Sequence, residues 1–347
     1  MAEIKFIPPV SLGEVRSLMR SHDLYVLSSD GYEGWGAVVS EALEEGMTVL
    51  ATEECGAGPT LLPKEYLFRA GDTETLRRKI EAVRTGKLPR LSGIGAWNAA
   101  NAAEALFAAA GKPSDFVFYM NCLSAHQLPL AECMSRLAGR FTYVDAMERG
   151  QTFQSAATPE GMDVRRGYDD LIESCPALYT GMRDFGLFER RERRGLTTFY
   201  TSERWFKPPI GRLRLLHPKY ALMQRRFRDL ISNGRGFRYL PIGTHAAEDM
   251  TAAMGDKAPI EFEPRPLGAI ARHPKFGMWG YFVSPSEKCN MATNRHEPQF
   301  SILWAGRMLK LKHVETIIKA AAPLSVSLTI AGDGPDAKRI RTIAARQ

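Results

Sequence analysis

The sequence lacks several features that define whole classes of proteins. No apolar run reaches the ~18 residues that a membrane-spanning helix requires, and the opening residues have neither the basic nor the long apolar segment of a secretion signal. Only five cysteines occur in 347 residues, and none forms a Cys-x-x-Cys pair. Neither a disulfide framework nor a zinc site is therefore predicted. We expect a cytoplasmic protein with reduced thiols and no metal site.

The chain also lacks an even distribution of charge. Its formal net charge is +7, and arginines and lysines concentrate in the segment 183–238, among aromatic side chains such as Phe185, Phe188, Trp205 and Phe206. Such a segment is typical of peripheral contact with an anionic membrane, and a solvated helix face has the same pattern. No helix-turn-helix, RNA-recognition or zinc-finger pattern accompanies it, so a nucleic-acid partner is not predicted.

The hydrophobic pattern predicts an α/β protein, and the length predicts two domains. Residues 1–86 alternate between strand and helix patterns, as in the βαβ units of a parallel sheet. The predicted strands are 4–8, 24–28 and 47–51, and the predicted helices are 12–21, 37–45 and 73–85. An alanine-rich helix at 99–110 then ends in a stretch with glycine and proline at 111–114, where a joint between domains is expected.

A second series begins at residue 115, and a short third block follows it. The second series has predicted strands at 115–120, 141–144, 197–201, 237–241 and 281–283, helices at 130–138, at 218–232 and from Thr244, an irregular polar stretch to about residue 173, and a linker at 284–298. The third block has strands at 301–305 and 324–331 and helices at 313–321 and 336–345. Two strands do not make a stable sheet alone, so we expect the first and third blocks to complete each other.

The most informative motif is the glycine-rich loop that follows the second strand. It places Glu33 just before a helix and Glu41 eight residues later, which is about 2.2 helical turns, so both carboxylates can face one side. The glycines allow close approach of a ligand, and free amides at a helix start bind phosphate. A nucleotide sugar requires amides for its diphosphate and carboxylates for its hydroxyls. The alternative is an ordinary glycine loop that caps a helix.

Two further motifs lie near the end of the chain. The strand ending at Ala305 is followed by Arg307 and, five residues later, by Lys312; two fixed cations can neutralise a leaving diphosphate without a metal, although solvated surface cations are the alternative. The next strand runs into Gly332 and Gly334, but Pro335 follows and the third glycine of a dinucleotide fingerprint is absent. An NAD site is therefore not predicted.

Together these motifs resemble those of the retaining GT-B glycosyltransferases of family four. That family's nucleotide-binding domain has, in order, a strand ending in Gly-Arg with a lysine soon after, a strand ending in Gly-Asp-Gly-Pro, and a Glu-x7-Glu motif. Here the first two lie at 306–312 and 332–335, whereas the third lies at 33–41. The resemblance implies two Rossmann-like domains with doubly wound parallel sheets, in circularly permuted order. Residues 1–112 would be the second part of the donor-binding domain, 113–298 the acceptor-binding domain, and 299–347 the first part of the donor-binding domain.

The resemblance also implies roles for single residues. Arg307 and Lys312 would hold the donor diphosphate, Glu33 would bind hydroxyls of the transferred sugar, and Glu41 would bind the ribose. Backbone contacts to the donor would come from Gly34, Trp35, Gly36, Gly306, Gly332 and Gly334. On the acceptor side the family's glycine-rich turn and histidine are replaced, and the candidates are His126, Glu203 and His245.

The leading hypothesis is a retaining glycosyltransferase that moves a sugar from a nucleotide-diphosphate sugar to a glycan or polyprenyl-linked acceptor. Members of the family need neither a metal nor another cofactor, and the expected setting is bacterial surface-polysaccharide assembly at the inner face of the membrane. One alternative is a sugar-nucleotide epimerase, which would need acid and base groups on both sides of the cleft. The other is a non-catalytic scaffold that binds a nucleotide sugar.

Overall fold

A computed structural model of the protein contains two compact units, each built on one sheet. The structure describes residues 2–91, 93, 95, 97–146, 156–166, 173–180, 185–207, 209–233, 236–254, 280 and 299–347. Unit 1 comprises residues 1–94 with 285–347, and unit 2 comprises residues 95–284. Each sheet has six strands, and every pairing between them is parallel. The predicted α/β fold is confirmed, and two such units are consistent with GT-B architecture.

The sheet of unit 1 is built from both ends of the chain. Its strands are β1 (Glu3–Ile7), β2 (Leu24–Leu27), β3 (Thr48–Thr52), β4 (Leu67–Phe68), β11 (Ser301–Ala305) and β12 (Ser327–Ala331). Their order is β1-β12-β11-β2-β3-β4, so the last two strands of the chain occupy the interior of the sheet. All residues of β2 and β3 are buried, as expected for parallel strands covered on both faces.

Six α-helices of the described residues accompany this sheet, and two of them begin with a side-chain cap. They are α1 (Leu12–Ser21), α2 (Val38–Glu44), α3 (Ala57–Leu61), α4 (Thr73–Arg84), α10 (Val314–Ala321) and α11 (Ala337–Ala344). Ser11 and Glu14 form a reciprocal capping box at the start of α1, and the Asp72 side chain caps α4, which satisfies amides that have no partner within the helix. The Arg341 guanidinium lies 4.6 Å above the Phe6 ring, so α11 packs against β1.

Unit 2 has its own sheet and an aromatic core. Its strands are β5 (Asp115–Met120), β6 (Arg140–Asp145), β7 (Asp163–Arg166), β8 (Ala177–Thr180), β9 (Thr198–Ser202) and β10 (Phe237–Pro241), in the order β10-β9-β8-β5-β6-β7. Its helices are α5 (Ala99–Ala109), α6 (Leu128–Leu137), α7 (Phe185–Arg193), α8 (Pro218–Asn233) and α9 (Thr244–Met254). Tyr200 contacts the rings of Phe188 and Phe227, and such edge-on and tilted pairs add to the burial of apolar area.

The structure differs from the sequence-based expectations at several places. In unit 1, α3 and β4 were not predicted. The stretch expected to be irregular up to residue 173 contains the strand β7, and β8 and α7 were not predicted. The division between the units lies near residue 95 rather than 112, because α5 packs against α6 and buries Ala102, Ala103 and Leu106. The predicted strand at 281–283 and the predicted linker at 284–298 lie outside the described residues.

The basic segment 183–238 was expected to lie at the surface, but several of its side chains are buried in the structure. Its aromatic side chains Phe185, Phe188, Trp205 and Phe206 belong to the core of unit 2. Arg191 is fully buried and donates hydrogen bonds to Thr198 Oγ1 and to two backbone carbonyls. Part of this segment is therefore structural. None of the helices in the described part of the chain combines the length and the hydropathy that crossing a bilayer requires.

Candidate active site

Most of the predicted site residues come together at one edge of the unit 1 sheet. Because all its strands are parallel, the loops that follow β2, β11 and β12 leave the sheet at the same edge, which is where open α/β sheets bind ligands. Glu33 follows β2, Arg307 and Lys312 follow β11, and Gly332 follows β12. His126 instead follows β5 in unit 2.

An ion pair between Lys312 and Glu33 lies at this edge. The Lys312 ammonium contacts a carboxylate oxygen of Glu33, and both side chains are 20% exposed. The pair joins residues that are 279 positions apart. Two hydrogen bonds hold the flanking loops together: the Ser28 hydroxyl donates to the Lys312 carbonyl at 2.6 Å, and the Asp30 amide donates to the Leu311 carbonyl at 2.9 Å. The ammonium and the carboxylate are therefore fixed by backbone contacts.

A second pair, between Asp30 and His313, was not singled out in the sequence. His313 Nε2 lies 3.3 Å from Asp30 Oδ2, directly beside the first pair. His313 has φ 45 and ψ 43, a left-handed conformation that is uncommon for a residue with a side chain. Its position next to Lys312 is the only signal in the sequence that could have indicated this contact.

Glu41 lies within α2 and is buried, with 8% exposed. The Tyr25 hydroxyl donates to the Ala305 carbonyl at 2.9 Å, close to both motif carboxylates. Burial raises the pKa of Tyr25, the hydrogen bond to Ala305 lowers it, and the charges of Glu41 and Glu33 raise it further. The Tyr25 hydroxyl is therefore close enough to both carboxylates for their charges to affect its pKa. This proximity agrees with the spacing of the two carboxylates in the sequence.

The glycine-rich loop before α2 is fixed to the next loop along the sheet. The amides of Gly56 and Ala57 donate to the carbonyls of Gly34 and Trp35 at 3.0 and 2.8 Å. The Trp35 side chain is buried, so only its backbone can meet a ligand. The amides of Gly34 and Gly36 donate to no other described residue. These two donors can therefore serve a ligand without breaking an existing contact.

The same edge of the sheet has an open cleft of about 290 Å³ at the ends of β1, β11 and β12. Its lining residues come from the loops after β1, β11 and β12 and from α1: Pro9, Val10, Val15, Ala305, Gly306, Arg307, Ala331, Gly332 and Asp333. Gly332 has φ 133, and a Cβ there would overlap the Gly306 carbonyl oxygen. The two backbones thus approach more closely than any residue with a side chain would allow. Arg307 is exposed at this cleft.

The acceptor-side candidates lie at the corresponding edge of unit 2. His126 is exposed in the turn between β5 and α6, Glu203 pairs with Lys207 at 2.8 Å, and His245 lies 2.9 Å from Glu248. The hydrogen bond from His245 lowers the pKa of the Glu248 carboxyl. Glu203 and Glu248 therefore already have partners within unit 2.

Two threonines at the same edge were missed by the sequence reasoning. Thr180 and Thr201 are register partners on β8 and β9, so their side chains lie on the same face of the sheet. Both hydroxyl oxygens are buried and have no hydrogen-bond partner among the residues that the structure describes. Buried hydroxyls are normally paired, so an adjacent unpaired couple is a candidate for contact with a polar ligand. Threonine has no distinctive pattern in sequence, so only the fold reveals it.

The described residues contain no group of three or more His, Cys, Asp or Glu side chains that could hold a metal ion. Cys55, Cys122, Cys133 and Cys175 are free thiols. Burial raises the pKa of the Cys55 thiol to about 12. Cys55 is therefore a neutral packing residue at physiological pH.

The fold class is therefore α/β, with two units that each contain a parallel six-stranded sheet. Residues 1–90, which include β1 to β4 and the loop carrying Glu33, match the family described as Glycosyl transferases group 1. This match supports a glycosyltransferase activity and implies a nucleotide-sugar donor and an acceptor. No curated protein and no solved structure gives a significant match to the chain.

Proposed function

We propose that the protein transfers a sugar, with retention of configuration, from a nucleotide-diphosphate sugar to a glycan or polyprenyl-linked acceptor. The observation that carries the proposal is the Lys312–Glu33 pair at the carboxyl edge of the unit 1 sheet, where Arg307 is exposed after the same strand as Lys312, in a chain whose first 90 residues match a glycosyltransferase family. Retention, the acceptor and a setting in surface-polysaccharide assembly at the inner face of the membrane are supported by the resemblance to family four.

The ion pair suggests how a donor is received. A diphosphate is a stronger partner for an ammonium group than a carboxylate is, because it carries more charge and more acceptor oxygens. In the proposed complex Lys312 therefore exchanges Glu33 for a phosphate oxygen, and Arg307 contacts the same diphosphate. Glu33 is then released to accept hydrogen bonds from hydroxyls of the transferred sugar. The two cations stabilise the charge that develops on the leaving nucleoside diphosphate.

The remaining contacts follow from the same edge of the sheet. The nucleoside would occupy the cleft between the loops of Gly306 and Gly332, with Glu41 at the ribose. The unpaired amides of Gly34 and Gly36 would donate to the sugar or the phosphates. In unit 2, His126 and the hydroxyls of Thr180 and Thr201 are the proposed acceptor contacts. No step in this proposal requires a metal ion.

We also propose that unit 1 is circularly permuted, and strand order supports this. Counted along the chain from β5, the sheet of unit 2 has the order 6-5-4-1-2-3, which is the Rossmann order 3-2-1-4-5-6 read from the other side. Counted from β1, unit 1 has the order 1-6-5-2-3-4; counted from β11, through α11 and on into β1, it has 3-2-1-4-5-6. Only the permuted count gives both units one topology.

The test is a thermal-shift screen with UDP-, GDP- and dTDP-sugars, followed by product analysis in EDTA. A donor present at 100 times its Kd should raise the free energy of unfolding by about 2.7 kcal/mol. We expect transfer that survives EDTA and a product whose anomeric configuration matches the donor. An epimerised nucleotide without transfer would indicate the epimerase instead, and donor binding without any reaction would indicate a scaffold.

A further inference from the structure

One short segment of unit 2 exposes an unusual amount of apolar surface. Among the described residues, six large hydrophobic side chains are strongly exposed, and four of them lie between residues 210 and 222. These four are Ile210 at 52%, Leu213 at 66%, Leu216 at 81% and Leu222 at 58%. Single exposed leucines are ordinary, whereas a concentration of them indicates a surface that meets an apolar phase or a partner.

The same segment carries charge of one sign. No acidic residue occurs between Glu203 and Asp229, while the cations there are Arg204, Lys207, Arg212, Arg214, Lys219, Arg225, Arg226 and Arg228. Arg204, Lys207 and Arg226 form ion pairs with carboxylates outside the interval or at its edge. Four others, Arg212, Lys219, Arg225 and Arg228, are exposed and form no ion pair with any described residue.

The exposed leucines belong to a folded, anchored segment. Ile210 leads into a 3₁₀ helix at Gly211–Leu216, and α8 begins at Pro218. Leu215 and Met223 pack against the core of unit 2, and Arg214 donates to the Trp205 carbonyl at 3.3 Å. Leu215, Met223 and Arg214 therefore fix the segment to the core, and the exposed apolar side chains have no cover among the described residues.

We propose that this surface, formed by Ile210, Leu213, Leu216 and Leu222 with Arg212, Lys219, Arg225 and Arg228, binds an anionic lipid bilayer. The aliphatic side chains enter the boundary between headgroups and acyl chains, and the cations contact lipid phosphates. Aliphatic groups surrounded by unpaired cations are typical of interfacial segments, whose affinity depends on buried apolar area and on anionic lipid together. The inference deepens the proposed function, because a polyprenyl-linked acceptor is embedded in such a surface.

Two other occupants fit the observations less well. A second copy of the chain would bring the same unpaired cations face to face, and like charges repel. Single-stranded nucleic acid is bound by stacking on aromatic rings, but Trp205, Phe206 and Phe227 are buried in the core. Tyr220 is half-buried, and its ring lies edge-on against His217. The exposed apolar groups are aliphatic. Lipid is therefore the partner that matches both the apolar chemistry and the charge.

The test is co-sedimentation of the whole protein with vesicles, without donor or acceptor. One set of vesicles is phosphatidylcholine alone, and the other is phosphatidylcholine with one quarter phosphatidylglycerol. Leu213→Gln with Leu216→Gln removes two exposed leucines, and Arg212→Gln with Lys219→Gln removes two exposed cations. The matched control carries Leu12→Gln and Lys319→Gln, which change an exposed leucine and an exposed lysine of unit 1. Melting temperatures verify that all variants are folded.

We expect binding to the anionic vesicles only. The two leucine substitutions should weaken it about tenfold or more, and the two cation substitutions should weaken it about 30-fold at low salt. The control should bind like the unaltered protein. Equal binding to both vesicle types, no binding, or full binding by the leucine pair would each overturn the proposal. If light scattering shows a dimer of the unaltered protein and a monomer of the variant with both leucines replaced, the surface would be assigned to self-association instead. Because no sugar transfer is measured, failure here is distinct from failure of the proposed reaction.

Discussion

Among single residues, Lys312 has the most specific task in the proposed reaction. It is expected to hold the donor diphosphate while charge develops on the leaving group, so Lys312→Ala should lower kcat about 10²-fold or more. Lys310 lies in the same 3₁₀ helix and is exposed, which makes Lys310→Ala a matched control with near-normal turnover. Steady-state kinetics with the donor identified by the screen would measure both.

Arg307 shares this task, and its removal should have an effect of similar size. In the double variant Arg307→Ala, Lys312→Ala the diphosphate has lost both fixed cations, so turnover should be near the limit of detection. Near-normal turnover of the double variant would contradict the assignment of the donor site. Donor binding measured by calorimetry would separate lost affinity from lost catalysis.

Gly332 is the residue at which backbone geometry is most restrictive. A Cβ there would overlap the Gly306 carbonyl, and φ is 133, so Gly332→Ala should lower the free energy of unfolding by about 3 kcal/mol or more. Gly71 has φ 82 but nothing within 4 Å of a built Cβ. Gly71→Ala should therefore cost only about 1 kcal/mol, the penalty of the conformation itself.

Denaturant unfolding of the two glycine variants would measure the difference. If the two variants were equally stable, the loops after β11 and β12 would be able to move apart at little cost in free energy. The close approach of the Gly332 and Gly306 backbones would then not constrain the sequence. If Gly332→Ala alone is destabilised, the packing of these two loops fixes the wall of the cleft.

At the scale of one element, the buried guanidinium of Arg191 holds α7 in place. Arg191 donates to Thr198 Oγ1 at 2.9 Å and to the carbonyls of Cys175 and Thr197 at 2.8 Å each, and thus ties α7 to the loops that precede β8 and β9. Arg191→Met would leave these acceptors without their donor and should cost about 3 kcal/mol or more. Arg193 is exposed on the same helix, and Arg193→Met should change stability by less than about 0.5 kcal/mol.

Calorimetric melting of the two arginine variants would show how much the hydrogen bonds of Arg191 stabilise the protein. A loss of stability confined to Arg191→Met would show that part of the basic segment serves the core. An equal and small effect of both substitutions would mean that the hydrogen bonds of Arg191 contribute little beyond solvation.

The elements that sequence predicted well are those with strong periodic or apolar patterns. The bounds of α1, β5, β10 and β11 agree with the prediction, because each has a clear hydrophobic pattern bounded by polar or turn-forming residues. In contrast, β7 consists of Asp163, Val164 and two arginines at the end of its sheet. It has no apolar alternation, and its strand conformation depends on pairing with β6.

The candidate site shows the same division between local and long-range information. Residue types and spacing identified Glu33, Glu41, Arg307 and Lys312 as candidates. The contact of Glu33 with Lys312 crosses 279 positions, and no local pattern contains such a distance. The unpaired hydroxyls of Thr180 and Thr201 likewise depend on the register between two strands.

For the whole molecule, the proposed permutation makes a direct prediction. Since α11 packs against β1, a short Gly/Ser linker should be able to join Gln347 to Ala2, with new ends between Lys112 and Pro113. Lys112 is exposed in a turn with φ 53, and domains tolerate new ends in exposed loops. We expect the rejoined protein to keep its circular-dichroism spectrum, its cooperative melting and its donor binding.

The control uses the same linker but opens the chain between Leu303 and Trp304, inside β11. That opening divides a buried strand in the interior of the sheet, so we expect an insoluble or unfolded protein. If opening at Lys112 were as damaging as opening within β11, the proposed family order of the chain would be contradicted.

The position of β11 and β12 inside their sheet has a consequence for synthesis on the ribosome. β1 pairs with β12, and β2 pairs with β11 on one side, so these early strands emerge without those neighbours. At about 5–20 residues per second, synthesis of the roughly 300 residues in between takes about fifteen to sixty seconds. All described strands of unit 2 lie between residues 115 and 241, so its sheet can form in that interval. During the same time the apolar faces of β2 and β3 remain without their partners unless a chaperone binds them. The sheet of unit 1 can therefore be completed only after β11 and β12 have been made, later than the sheet of unit 2.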